Sequence, residues 1–196
     1  MFESYRGAPP ARRALLIAVL AVLFALLSNY AYDAVGDFAI LGVPPLPAIY
    51  FGVLLAIGCT LWTGAGRLGA IAVLVVTFLA WFAAFKTAEQ VHEWVSDIPG
   101  ISSYRLFFAG LAGGFIGSSI TAFGVSLAVR EFPSTKAWSR TVMVGTIAGI
   151  LLECLSNESR DQIPFHVDSL LPLFLVWQPA VAASIAYGLP RRPRAA

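Results

Sequence analysis

The chain has 196 residues, of which 58% are apolar and 12% charged, and its formal net charge is +2. Soluble domains carry roughly twice that charged fraction, so there is too little polar side chain to clothe a water-facing exterior. A soluble globular class is excluded, and most of the surface must meet lipid.

Crossing a hydrocarbon core of about 30 Å takes roughly 20 residues of helix at 1.5 Å rise each. The first run of that kind covers 14–32, behind Arg6, Arg12 and Arg13. It could pass for a signal peptide, but the following SNYAYDAVG has no A-x-A arrangement, so it is read as a retained membrane helix. Its outer end brings Asn29, Tyr30, Tyr32 and Asp33. The prolines of GVPPLP, at 44, 45 and 47, belong at a helix start and open a second span at 46–62. A third follows at 68–85. KTAEQVHEWVSDIPG then predicts a short amphipathic helix near 87–97 lying flat on the outer surface, with Ala88, Val91, Val95 and Ile98 on its apolar side and its end before Pro99 and Gly100. Further spans are expected at 106–129, at 141–155 (short, with Trp138 and Ser156 at its interfaces) and at 170–189. The runs are apolar all round rather than alternating, which excludes a transmembrane barrel. The expectation is a single all-α domain, a polytopic bundle of six transmembrane helices.

Short loops keep Lys and Arg on the cytoplasmic side. Six spans put ten cations and two acids on the side of the termini, and three cations and nine acids on the other. Both termini are therefore expected in the cytosol, with the chain in a bacterial-type inner membrane. The basic face follows from insertion and carries no nucleic-acid-binding motif. Cys59 and Cys154 fall near opposite leaflets, too far apart for a disulfide, and no CxxC or zinc spacing exists.

Small residues form stripes. Ala14, Ala18, Ala21, Ala25 and Ser28 share one face of the first span, and Gly110, Gly114, Gly117, Thr121, Gly124 and Ala128 share one face of the fourth. Gly145 and Gly149 extend the pattern to the fifth. Such stripes let helices approach closely in lipid. They serve either packing within one bundle or, for the alanine face of the first span, docking of another membrane subunit.

Two sets of residues have the types to carry chemistry. Glu153, an acid near the outer end of the fifth span, joins Asn29, Tyr30, Tyr32 and Asp33 as a candidate polar wall of an outward-opening ligand pocket. Its alternative is an interfacial acid paired with Arg160 or Arg105. Glu89 and His92, at i and i+3, join Glu93, His166 and Asp168 as candidate ligands for a divalent metal; solvated loop residues are the plainer reading. No other cofactor is expected. G-x-S-x-G, H-E-x-x-H and P-loop motifs are absent, and no residue is assigned a catalytic role. Lys86 and Lys136 are at span ends, which disfavours a retinal Schiff base.

Two AxxxA patterns, ALLIA at 14–18 and AVLFA at 21–25, stand on the first of six spans in a chain of about 20 kDa. With the proline-rich approach to the second span and the acidic, aromatic outer face, the chain resembles the substrate-binding S components of energy-coupling-factor vitamin transporters. The resemblance implies capture of a small molecule from outside and docking, through the AxxxA face, of a coupling subunit driven by separate cytoplasmic ATPases. No vitamin-specific pocket signature accompanies it. The readings that follow are a membrane protein that binds or transports a small solute, an accessory or structural subunit of a larger membrane complex, and a membrane enzyme or metal site at the outer face.

Overall fold

The computed structural model describes residues 7–35, 45–129, 132, 134–158 and 171–190. Among them six α-helices follow one another: α1 (Pro10–Val35), α2 (Leu46–Thr63), α3 (Arg67–Ser96), α4 (Arg105–Ala128), α5 (Thr135–Glu158) and α6 (Leu171–Gly188). A single 3₁₀ turn, Ser102–Tyr104, precedes α4. The local signals account for several ends. Pro45 stands at the N-cap of α2, where a missing donor does no harm. Gly64 closes α2 in the left-handed region at φ 75°, its N–H returning to the Thr60 carbonyl at 3.1 Å, a conformation that a side chain would penalise.

Four of the helices (α1 to α4) contain stretches long and apolar enough to cross a membrane. Apart from the end of α3, helix ends lie within six residues of the expected span boundaries, and the start of α2 coincides with the expected one. The segment near 87–97 is not a separate surface helix: it forms the last turns of α3, which runs unbroken for 30 residues. No glycine or proline interrupts the chain between Gly69 and Pro99, and Lys86 pairs with Glu89 at 2.6 Å across one turn, so nothing stops the helix where the apolar run ends. Val95 stays buried and Trp94 is exposed.

Each helix packs against the next, and α6 returns to pack against α1, closing a ring; α6 also reaches α2 and α4. The starts of α1, α3 and α5 meet the ends of α2, α4 and α6 at one end of the bundle. Arg13 lies over the Trp62 ring, the Gly69 backbone lies against Ala128, and Arg140 reaches Ser184. That end carries Arg12, Arg13, Arg67, Lys136 and Arg140, whereas Glu89, Glu93 and Asp97 belong to the other. The first turn of α1 and the last of α6 therefore share one end.

Large apolar side chains stand on the outside of the bundle as well as in its core. Leu15, Val19 and Leu23 line the outer face of α1; Leu68, Ile71, Val75 and Leu79 that of α3; Met143, Ile147 and Leu151 that of α5. Beside large core residues such as Phe51, Leu55 and Trp177, the interior takes many small ones: Ala21, Ala25, Ala80, Ala122, Ala182 and Ala186 are fully buried. Lipid chains are as apolar as leucine, so there is no gain in hiding large side chains; close backbone approach gains dispersion contacts instead. The α4–α5 seam shows this most plainly. A Cβ on Gly114 would lie 2.6 Å from the Gly145 carbonyl oxygen, and one on Gly149 would meet the Gly110 carbonyl and stand 2.9 Å from Gly114 Cα.

Candidate functional site

The proposed ligand residues occupy the end of the bundle opposite Arg13. Asn29, Tyr30, Tyr32 and Asp33 lie on the last turns of α1, and Glu153 on the last turns of α5; their side chains lie outside the described part of the structure. Of the proposed metal ligands, Glu89, His92 and Glu93 stand on the last turns of α3. Glu89 is engaged by Lys86, Glu93 is exposed and His92 half-buried. His166 and Asp168 lie outside the described residues. Among the described residues no three His, Cys, Asp or Glu side chains gather as a metal site would require.

The small-residue stripes turn into the bundle. On α1, Ala21 and Ala25 are buried, with Ala14 and Ala18 half-buried. On α4, Gly110 and Gly114 face α5, while Gly117 and Gly124 face α3: a Cβ on Gly117 would come 2.9 Å from Ala84 Cβ, and one on Gly124 2.8 Å from Val76 Cβ. One glycine-rich helix thus serves two neighbours through two faces.

Within this apolar interior the polar atoms divide into two groups. The first is satisfied. Thr63, Ser118, Ser126, Thr141 and Thr146 each donate to the carbonyl four residues earlier, the ordinary outlet for a hydroxyl in a membrane helix. Ser118 also reaches the Val142 carbonyl on α5 at 3.3 Å. Gln178, 2% exposed, donates to the Pro47 carbonyl at 3.3 Å and ties α6 to the first turn of α2.

The second group is not. The Thr77 and Thr121 hydroxyls and the Trp177 indole N–H are buried with no hydrogen-bond partner, and so are the Ser119 hydroxyl and, at the basic end, the Trp62 indole N–H. Thr121 sits on α4 between Gly117 and Gly124, and Thr77 on α3 between Val76 and Ala84; both therefore lie along the same α3–α4 seam. Trp177 reaches that seam from α6. A Cβ on Gly117 would come 3.0 Å from its Cζ2, and the other side of the indole meets Phe51 of α2 with ring centroids 5.8 Å apart. An unpartnered polar group in an apolar interior costs a few kcal/mol, so several on one seam demand a reason. In the sequence Thr121 reads only as one of the small residues of its stripe; the signal for Thr77 is a neutral polar residue inside an otherwise apolar run, LVVTFLAW.

At the basic end, two arginines hold carbonyls in the last turns of α6 and just past its end. Arg13, 1% exposed, donates from Nη2 to the Leu189 carbonyl at 3.0 Å and from Nη1 to the Pro190 carbonyl at 3.3 Å. Arg140 donates to the Ser184 carbonyl at 3.1 Å and stacks 4.6 Å above the Tyr187 ring. Thr141 and Ser184 pair at 3.1 Å beneath them. Cations at a helix C-terminus complement its dipole and its free carbonyls.

Comparison with protein-family models, with curated proteins and with solved structures found no match.

Proposed function

We propose that the chain is a six-span inner-membrane protein, with both ends in the cytosol, that binds or conducts a small solute through a polar site opening to the outer face. The observation that carries this reading is the set of buried, unpartnered polar atoms of Thr77, Thr121 and Trp177 on one seam. Most other hydroxyls in the spans return to their own backbone, Ser119 excepted; leaving these without partners inside lipid makes sense if a polar guest supplies them. Asn29, Tyr30, Tyr32, Asp33 and Glu153 would form its outer approach. The cytosolic assignment draws on the cations gathered at the Arg13 end. Docking of a partner subunit is the weaker reading, because the alanine and glycine faces it would use are occupied by neighbouring helices of the same chain. The test is mass-spectrometric identification of small molecules released by denaturing the detergent-purified protein. A compound retained by the wild type and depleted several-fold by Thr77→Val with Thr121→Val, at unchanged gel-filtration profile, is expected. Equal retention by both proteins would sink the reading.

A further inference from the structure

A groove of about 340 Å³ runs along the outside of the bundle between α2 and α3, lined by Val53, Ala56, Ile57 and Thr60 on one wall and by Ala70, Ile71 and Leu74 on the other. It exists because Ala56 and Ala70 are small where their helices meet, while Ile57 and Ile71 stand out as rims. Thr60, its one hydroxyl-bearing wall residue, already spends its proton on the Ala56 carbonyl at 2.8 Å. From Val53 to Thr60 it extends about 10 Å along the helix axis at 1.5 Å per residue. That is within one leaflet of a core about 30 Å thick.

The mouth of the groove has the opposite character. Arg67 stands three, four and seven residues before Ala70, Ile71 and Leu74, so it shares their face of α3. It is exposed and makes no ion pair among the described residues. The N-cap of α3 is Gly66, with no side-chain cap and no acid in the first turn, so the positive end of the helix opens beside the arginine. An apolar trough about a third as long as the hydrocarbon is thick, ending in one positive charge at the interface, matches one acyl chain attached to an anionic headgroup.

We propose that this groove is a binding site for an anionic phospholipid: an acyl chain lies against Ala56 and Ala70, and the headgroup phosphate pairs with Arg67 at the start of α3. The site rests on the chain spanning a bilayer and is independent of the interior seam, so it stands or falls separately from solute binding.

Native mass spectrometry of the full-length protein, released from nanodiscs containing equal phosphatidylglycerol and phosphatidylcholine, tests it. The wild type should retain one phosphatidylglycerol in preference to phosphatidylcholine. Arg67→Gln should lower that preference about fivefold, the amount one juxtamembrane charge supplies, and Arg67→Lys should keep most of it. Ala70→Leu, which fills the trough without touching the charge, should lower retention of both lipids. Equal retention of the two lipids by the wild type, or a preference unchanged in Arg67→Gln, would overturn the proposal.

Discussion

Arg13 offers the sharpest measure of how the ring is closed. Its guanidinium is buried, donates to two carbonyls at the end of α6 at 3.0 and 3.3 Å, and lies 5.9 Å from the Trp62 centroid. A hydrogen bond from a charged donor is worth about 1.5–3 kcal/mol, and a longer second one about 1 kcal/mol; the end-of-helix charge adds roughly 0.5 kcal/mol. Arg13→Gln should therefore destabilise the bundle by about 3 kcal/mol. For a chain of this size that corresponds to a loss of about 6–12 °C in melting temperature. Arg13→Lys, which brings a single point charge in place of a two-pronged donor, should lose about half as much. Lys136→Gln, an exposed cation at the same end, is the control and should change little. Arg6 and Arg12 remain in every variant, so insertion is not at issue. Melting followed by size-exclusion fluorescence in mild detergent is the assay. If Arg13→Gln melted within 1 °C of the Lys136→Gln control, the reasoning that the first and last helices are joined through this side chain would be wrong.

Two further outcomes follow from packing. Gly149→Ala should cost more than about 3 kcal/mol or abolish the monodisperse species, because its Cβ would press on the Gly110 and Gly114 backbones; Gly7→Ala, with nothing within 4 Å, should be silent in the same chromatogram. Cys59 is a free thiol with 1% exposure, so in a Cys154→Ser background a maleimide should label the folded protein at least about tenfold more slowly than the denatured one; comparable rates would place α2 differently.

The sequence was most informative where chemistry is local. The prolines at 44, 45 and 47 place the start of α2 to the residue, because proline acts through its own backbone. The glycine spacing on the fourth span announced a close helix contact, yet it gave no hint that α4 would divide its glycines between α3 and α5. That depends on which helices become neighbours, a property of the whole ring. Near 87–97 the loss of apolar character does not end the helix; polarity marks the edge of the membrane, whereas termination needs a glycine, a proline or a cap. Arg13 looked like one of several orienting charges, and its contacts with residues 176 and 177 positions away are invisible to any pattern in the chain. The unpartnered Thr77, Thr121 and Trp177 are individually unremarkable letters, and their shared seam exists only after folding.

The contact between α1 and α6 also fixes an order of assembly. During synthesis the first helix leaves the ribosome long before the last, and its inward side of Ala21 and Ala25 has no permanent neighbour on that flank until the final stretch of chain is made. The earlier helices can pair off two by two as they emerge, but the circle stays open to the end. Nascent chains that stop short of Leu171 would present that unfinished flank to the insertion and quality-control machinery, and Leu189 and Pro190 bring the carbonyls that lock it.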